Sequence, residues 1–363
     1  MNSLLSSLLT VLVTIIFIVL LRPLAYATGL VDKPDERKHH EGSIPLVGGI
    51  SIYLAVATAT LVGTTMVGKD VLIQSGAGVF LLSSLLLVVV GVWDDLRNLS
   101  PLLKLVAQIA AALIMIYLGG IVVTDLGSIG FSGNPVRLGI WAVPFTVFAT
   151  VGVINAINMA DGLDGLVGNM TLVSLLGLGL ATSMWGGVPV AAMLNILSAG
   201  VIGFLLFNQR LFWRPKAAVF LGDAGSMMLG FALAWAAIVA SQGPDRSLSP
   251  AAALWFVAVP VCDTLSVAVR RLLEGKSPLT ADARHLHHLF MRVGFSVNET
   301  LLFMCGLAVA GVTVGLAAEW YGVPEWALLL LFLAAWLACA LVSYKAWRQE
   351  RFLGRPFREQ ISG

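Results

Sequence analysis

Long runs of apolar residues alternate with short polar gaps from one end of the chain to the other. Eleven runs can be delimited, and most reach the length of about 20 residues that a helix needs to cross a bilayer. They cover residues 4–21, 44–66, 71–92, 101–123, 139–157, 166–185, 188–208, 217–240, 251–272, 300–318 and 324–343. The pattern predicts an all-α, polytopic integral membrane protein with about eleven transmembrane helices. The runs at 139–157, 188–208 and 217–240 have the least sharp bounds.

Composition supports this class, because 58% of the residues are hydrophobic and only 12% are charged. A soluble domain carries about 25% charged residues, and the mean hydropathy here is +0.91. The first run follows no basic segment and is succeeded by Arg22 and Pro23, so we interpret it as a span and not as a cleaved signal peptide. We expect one transmembrane domain over residues 1–343 and a basic cytoplasmic tail over 344–363. The three cysteines lie in apolar runs and are expected to be packing residues.

The distribution of basic residues predicts the orientation of the spans, since cytoplasmic loops are enriched in Lys and Arg. With the amino terminus in the periplasm and the carboxyl terminus in the cytoplasm, 19 of the 22 basic residues are cytoplasmic, as are all the acidic and histidine clusters described below. The basic exceptions are Lys69, Arg137 and Arg246. The acidic residues left outside, each expected to be solvated, are Asp70, Asp125 and Asp245. We therefore expect a cytoplasmic active face and no nucleic-acid partner.

Asp94 and Asp95 follow an apolar run, and Lys104 lies nine residues after Asp95. Adjacent carboxylates at a membrane face repel each other unless a cation or a proton lies between them. A divalent metal, or a base beside a phosphate, would explain the pair. The alternative is a solvated helix end.

The segment from Asn155 to Gly165 combines two asparagines and two aspartates between apolar flanks. If it is helical, Asp161 and Asp164 share one face, with Asn158 one turn earlier. The alternative is an acidic turn between two spans.

Asp223 lies between glycines at the start of an apolar run, in the sequence Gly-Asp-Ala-Gly-Ser of residues 222–226. Magnesium often takes only one or two protein carboxylates, with water and substrate phosphate completing its shell. A helix that begins here would also direct backbone N–H groups at a phosphate. The alternative is that Asp223 caps its helix.

A histidine cluster, His285-Leu286-His287-His288, follows Arg284 in a basic loop. Zinc is a weak interpretation because no cysteine shares the loop, and phosphate hydrogen bonding by His and Arg fits better. A solvated cluster is the alternative. We expect Asp263, inside an apolar run, to pair with a neighbouring polar group. The basic segment 37–40 is expected to bind a diphosphate or to lie near anionic lipid.

These motifs together resemble the polyprenyl-phosphate N-acetylhexosamine-1-phosphate transferase family. The resemblance is carried by residues 45–49 (Pro-Leu-Val-Gly-Gly), the Asp94–Asp95 pair with Lys104, residues 155–165, residues 220–226, and the histidine cluster, all in the family's order across about residues 30–295. Residues 32–39 and 44–49 are most similar to the bacterial undecaprenyl-phosphate N-acetylglucosamine-1-phosphate transferases that start O-antigen or enterobacterial common antigen.

The resemblance implies eleven spans, a cytoplasmic active site, Mg²⁺ or Mn²⁺, a UDP-N-acetylhexosamine and undecaprenyl phosphate, and it leaves a homodimer open. It implies that Asp223 and Asn155 bind the metal, that Asp94 and Asp95 act near the lipid phosphate, and that Lys104 holds phosphate. It also implies a nucleotide-sugar pocket, with Phe220 under the uracil. The implied pocket residues are Asn158, Asp161, Asp164, Phe220, Arg271, His285, His287 and His288.

The expected reaction is a metal-assisted attack of the lipid phosphate on the β-phosphorus of the UDP-sugar, with UMP leaving. Asp94 or Asp95 would act as the base, and an aspartyl-phosphate route stays open. The sugar is expected to be N-acetylglucosamine, with N-acetylgalactosamine, N-acetylfucosamine and N-acetylquinovosamine as alternatives. A rival from another class is an ion-coupled transporter, because buried acidic residues also serve ion sites.

Overall fold

The computed structural model describes residues 3–32, 42–67, 76–131, 133–186, 188–210, 214–277 and 284–353. Two short strands, β1 (Val31–Asp32) and β2 (Ile44–Pro45), pair antiparallel, and the rest of the regular structure is helical. A 3₁₀ turn at Gly139–Trp141 precedes α5. The helices are α1 (Ser3–Thr28), α2 (Gly48–Val67), α3 (Ala77–Arg97), α4 (Pro101–Gly119), α5 (Ala142–Ala160), α6 (Leu166–Trp185), α7 (Val188–Asn208), α8 (Gly222–Ser241), α9 (Pro250–Trp255), α10 (Ala258–Leu273), α11 (Leu286–Arg292), α12 (Val297–Trp320) and α13 (Glu325–Leu353).

Nine helices in the described part of the chain are long and apolar enough to cross a membrane. The all-α, polytopic membrane class is therefore confirmed. The three runs with the least sharp bounds each form a candidate span, at Gly139–Ala160, Pro189–Asn208 and Gly222–Ser241. The total of eleven spans and the orientation of the termini stay predictions.

The run at 251–272 does not form one straight helix, because it breaks between α9 and α10. Pro260 has no N–H to donate to the carbonyl oxygen of Phe256 four residues earlier. Ser174 of α6 supplies the missing donor, with its hydroxyl 2.6 Å from that oxygen. A broken helix is tolerated in an apolar environment when neighbouring side chains satisfy the freed backbone groups.

Helix α8 lies at the centre of the bundle. Over an apolar stretch of 18 residues in α8, 89% of the residues are buried. The corresponding stretches of α1 and α13, which form the periphery, are 17% buried. Trp235 and Phe231 of α8 pack against Phe80 of α3, with ring centroids 5.1 and 5.8 Å apart. Other elements therefore enclose most of this central helix, while Gly222 and Asp223 in its first turn stay partly exposed.

Helix α13 continues across the predicted domain boundary at residue 343. Trp347, in the predicted tail, is buried, and the guanidinium of Arg292 lies 4.8 Å from its ring centroid. The division into a domain and a tail stays a prediction, since residues 354–363 lie outside the described part.

Candidate active site

The predicted catalytic residues meet at one end of the bundle, which we call the active end. Helices α3 and α5 finish there and α4 and α8 begin there. Asp94 and Asp95 lie in the last turn of α3, Lys104 in the first turn of α4, and Asp223 in the first turn of α8. Residues separated by more than 100 positions thus become neighbours.

Lys104 connects two of the carboxylates. Its ammonium lies 2.7 Å from Oδ2 of Asp94 and 3.1 Å from Oδ2 of Asp223. The side chain of Asp94 is 7% exposed, whereas that of Asp223 is 30% exposed. Of the two, Asp223 therefore faces the open side of the cluster and is the carboxylate that a ligand can reach.

Asp94 is fully engaged by its neighbours. Its Oδ1 accepts the backbone N–H of Leu99 at 2.6 Å, while Oδ2 accepts Lys104. The chain can turn back toward Lys104 because Asn98 adopts a left-handed conformation (φ 49°) and Ser100 caps α4. Asp94 therefore orients the ammonium group.

Asp95 binds the amino terminus of α8. Its Oδ1 and Oδ2 accept the backbone N–H groups of Asp223 and Ala224 at 2.9 and 3.5 Å. These are two of the N–H groups that the sequence led us to expect at a phosphate, so a carboxylate from α3 takes that place. No side chain at the N-cap of α8 makes a capping hydrogen bond. Asp95 serves as the cap, because a negative charge is stabilised at a helix amino terminus.

Two close backbone contacts hold α8 in this place. A β-carbon on Gly91 would clash with the backbone of Asp223 and Ala224, and one on Gly49 would clash with that of Gly225. Gly91 was not among the predicted site residues. Its position four residues before Asp95, on the same helix face, was the available signal.

The Pro-Leu-Val-Gly-Gly segment acts through its backbone. Phe220 donates its N–H to the oxygen of Pro45 at 2.9 Å, and Gly48 and Gly49 donate to the oxygens of Phe220 and Leu221, each at 3.0 Å. Gly222 follows with φ +73°, beside the carboxylate of Asp95. The motif therefore positions the segment that leads into Asp223.

Asn158 contacts Asp223, whereas Asn155 contacts a different residue. The amide of Asn158 lies 2.8 Å from Oδ1 of Asp223 and 2.8 Å from the hydroxyl of Ser226. Asn155, expected as a metal ligand, lies about one turn earlier on α5. Its amide nitrogen donates to Oε1 of Gln108 at 2.7 Å.

Asp161 and Asp164 do not share a helix face, because the segment is not one continuous helix and the alternative of a turn between two helices describes it. Helix α5 ends at Ala160, and Gly165 adopts φ +79°, which only glycine adopts without strain. Asp164 accepts the guanidinium Nε–H of Arg210 at 2.9 Å and so connects the turn after α5 to the chain that follows α7. Asp161 is exposed beside the end of α5.

The histidine cluster lies against this turn. A β-carbon on Gly162 would approach Nε2 of His287 to 2.6 Å. His287 is fully buried, and neither ring nitrogen has a hydrogen-bond partner among the described residues. Burial, helped by the neighbouring His288 and His285, holds the pKa of His287 well below its usual range, so the ring is neutral at pH 7.

Three further predicted residues take defined places. Asp263 pairs with His285, as expected, at 2.8 Å. Arg271 donates its Nε–H to the carbonyl of Ser277 at 2.6 Å. Phe220 is half-buried against the core. The basic segment 37–40 lies outside the described residues.

Known proteins are similar to this chain over nearly its full length. Residues 77–241 match the family described as Glycosyl transferase family 4. The chain is 35% identical over 348 residues to the undecaprenyl-phosphate alpha-N-acetylglucosaminyl 1-phosphate transferase of Escherichia coli O157:H7, covering 96% of this chain and 92% of that relative. The proteins of that name from Salmonella typhi (36% over 350 residues, 96% and 92%) and Haemophilus influenzae (34% over 354 residues, 98% and 98%) are also similar.

The chain belongs to glycosyl transferase family 4. The resemblance to the polyprenyl-phosphate N-acetylhexosamine-1-phosphate transferases is thereby confirmed. In this glycosyl transferase family 4 protein, Asp94, Lys104, Asn158 and Asp223 lie within the matched segment. The histidine cluster lies outside it but within the span shared with the full-length relatives.

The charge balance of this family 4 protein at its active end suits a divalent cation. Asp94, Asp95 and Asp223 lie close together, and the ammonium of Lys104 is hydrogen-bonded to two of them, Asp94 and Asp223. No group of three or more Asp, Glu, His or Cys side chains within the described ranges forms a complete metal site. A magnesium ion that takes one protein carboxylate, with water and substrate phosphate, needs no such group. The partly exposed Asp223 fits that requirement.

Proposed function

We propose that this protein transfers N-acetylglucosamine 1-phosphate from UDP-N-acetylglucosamine to undecaprenyl phosphate and releases UMP. The names of its full-length relatives support the reaction. The observation that carries it is the single ammonium of Lys104 shared by Asp94 and Asp223 beside the start of α8. A cation held by two carboxylates remains ordered while it binds the negative charge of a phosphate.

The transfer needs charge neutralisation more than proton transfer. An oxygen of the lipid phosphate forms a bond to the β-phosphorus, and the bond from that phosphorus to the bridging oxygen of UMP breaks, with UMP taking the electron pair. Lys104 lies where it can bind the diphosphate. The lipid phosphate is largely ionised at neutral pH, so the reaction needs little help from a base.

Both candidate bases have other tasks. Each oxygen of Asp94 and of Asp95 already accepts a hydrogen bond. This favours direct attack by the lipid phosphate over an aspartyl-phosphate intermediate, because a nucleophilic carboxylate needs an accessible oxygen. In this proposal Asp94 orients Lys104, and Asp95 orients the start of α8.

Asp223 would hold Mg²⁺ or Mn²⁺, with Asn158 fixing the carboxylate through Oδ1. Such a metal, when bound, would neutralise charge on the diphosphate. Asn155 would lie further from the metal than Asp223 and would act through its hydrogen bond to Gln108. The proposal does not need Asn155 as a direct ligand.

The remaining predicted residues surround the same end of the bundle. Asp161 and Phe220 would line the nucleotide pocket. Asp164 would hold the turn between α5 and α6 in place through its hydrogen bond with Arg210. The neutral, buried His287 would offer hydrogen bonds and no charge. His285, His288 and Arg271 would bind the diphosphate or the sugar.

We propose that the protein lies in a bacterial inner membrane with its active end in the cytoplasm. There it would catalyse the first membrane step in the synthesis of O-antigen or a related surface polysaccharide. A homodimer stays a prediction. Transporter sites usually lie near the bilayer midplane, whereas these polar residues lie at helix ends. This difference favours the transferase.

The test is UMP release from purified protein in detergent, with undecaprenyl phosphate and magnesium, across a panel of UDP-sugars. Lipid-linked product is measured in parallel. We expect release with UDP-N-acetylglucosamine that needs both lipid and metal. Release with a different sugar alone would change the donor and keep the mechanism. Folded protein that releases no UMP with any donor would refute the proposal.

A further inference from the structure

Helix α10 fixes the loop that carries the histidine cluster at three points. Both terminal nitrogens of Arg270 donate to the carbonyl oxygen of Arg284, each at 3.3 Å. Asp263, seven residues earlier and hence on the same face, contacts the two residues that follow. Its Oδ2 lies 2.8 Å from Nδ1 of His285, and its Oδ1 accepts the N–H of Leu286 at 2.9 Å.

The Asp263–His285 pair is buried, and its geometry selects one form of the imidazole. The side chains of His285 and Asp263 are 2% and 7% exposed. An ionised carboxylate only accepts hydrogen bonds, so Nδ1 of His285 must carry the proton. In the neutral ring Nε2 then has a free lone pair. Oδ1 of Asp263 is oriented by the Leu286 N–H, so the carboxylate cannot rotate away without losing a second bond.

The orientation of His285 is passed to the next histidine by stacking. The rings of His285 and His287 are nearly parallel, at 7°, with centroids 6.0 Å apart, and the ring centroids of His287 and His288 are 4.1 Å apart. His287 has no hydrogen bond to any described residue that would set its own orientation. Its ring direction depends on packing between its neighbours.

We infer that Asp263 is a positioning residue that sets the Nδ1–H tautomer of His285 and, through it, the orientation of the histidine cluster toward the substrate. The inference rests on the proposed function for its effect on turnover. It assigns a task to a carboxylate remote in sequence from the reacting groups. It also predicts that Nε2 of His285 carries no proton in the folded protein.

The decisive variant is Asp263→Asn, which keeps the shape of the side chain. Its amide oxygen can still accept the Leu286 N–H, but its NH₂ group then faces Nδ1 of His285. Two donors cannot face each other, so the proton of the imidazole moves to Nε2 and the acceptor becomes a donor. We expect kcat/KM to fall by about 10-fold or more, with little change in the thermal unfolding temperature.

The ring ¹⁵N spectrum reports the tautomer directly. The chain has only 5 histidines, and the signals of His285 can be assigned with His285→Gln. The wild type should show a protonated Nδ1 and an unprotonated Nε2, and Asp263→Asn the reverse. Ser266→Ala is the matched control on the same helix, because the Ser266 hydroxyl donates to the oxygen of Cys262 within α10. It should alter neither the tautomer nor turnover.

The outcomes separate this inference from the proposed function. An unchanged tautomer in Asp263→Asn, or an inverted tautomer with unchanged kcat/KM, overturns the positioning role. Equal losses in Asp263→Asn and Ser266→Ala would also overturn it, since they would indicate a general effect on α10. Wild-type protein that releases no UMP refutes the proposed function, while the ¹⁵N spectrum, which needs no substrate, still tests the tautomer.

Discussion

The two ends of the bundle both carry charged residues, but they balance the charges differently. The end opposite the active end lies where α4 and α8 finish and α13 begins. There Arg246 lies 3.7 Å from Asp125 and 3.8 Å from Glu325. At the active end Lys104 pairs with Asp94 and Asp223, and Asp95 accepts the backbone N–H of Asp223.

Backbone hydrogen bonds strengthen this contrast. At the opposite end the N–H groups of Gly127 and Ser128 reach Asp125 and Glu325 at 2.9 and 3.0 Å. Asp125, expected to be solvated, is therefore part of a structural network. The opposite end has two carboxylates for one cation, and backbone N–H groups donate to both carboxylates. The active end has three carboxylates for one ammonium group, and this larger excess of negative charge is stable only with a further cation or proton nearby. The size of the charge imbalance, and not charge itself, distinguishes the functional end.

The largest effect should come from Asp223→Asn. Removing the accessible negative charge should lower kcat for UMP release by about 10²- to 10³-fold, and the amide should still occupy the same space. The measurement is turnover at several magnesium concentrations. Asp125→Asn is the matched control at the opposite end and should leave turnover unchanged. Comparable losses in both variants would remove the distinction between the two ends.

The next effect tests Asp95 as the cap of α8. Asp95→Ala should lower the free energy of unfolding by about 1–2 kcal/mol and also lower turnover, because the start of α8 carries Asp223. Ser296→Ala is the control, since Ser296 caps α12 in a capping box. This control should lower the free energy of unfolding by a similar amount without a loss of turnover. If Asp95→Ala abolishes turnover at unchanged stability, Asp95 has a direct chemical role.

A pH titration should detect the neutral state of His287. Its pKa is low in the folded protein and about 6.5 when unfolded, so below that pH the unfolded state binds more protons. The stability is complete above pH 6.5 and falls as the pH drops, by roughly 1 kcal/mol per pH unit. Denaturant unfolding between pH 7 and pH 5 should show this slope. His287→Phe should flatten it, and an unchanged slope in that variant would contradict the assignment.

The smallest effect is expected from Arg246→Gln at the opposite end. Arg246 is partly exposed and its ion pairs are long, so the loss of stability should stay below about 1 kcal/mol. Turnover should not change. The matched change at the active end, Lys104→Gln, should by contrast remove most turnover. A large loss of turnover in Arg246→Gln would show that the opposite end influences the reaction.

Much of the fold could be predicted from local patterns. The apolar runs predicted membrane helices at 139–157, 188–208 and 217–240, which were the hardest to delimit, and each forms a candidate span. The break between α9 and α10 was missed. It depends on Pro260 and on a hydroxyl from another helix, Ser174, and an apolar run does not reveal that second partner.

The candidate site was predicted as a set of residues more accurately than as a set of roles. Asp94, Lys104, Asn158 and Asp223 do meet. The sequence did not distinguish Asp94 from Asp95, although one holds an ammonium group and the other caps a helix. The histidine cluster was found, but its attachment to α10 required the structure.

The sequence by itself determined the membrane class, the family and the residue types available for chemistry, because each of these depends on local composition and the order of motifs. Only the tertiary structure decided which polar atoms share a hydrogen bond. A hydrogen bond forms or fails within a few tenths of an ångström, and that distance depends on how helices far apart in the chain pack. At Gly91 the absence of a single β-carbon lets α3 approach α8 closely enough for Asp95 to reach its amino terminus.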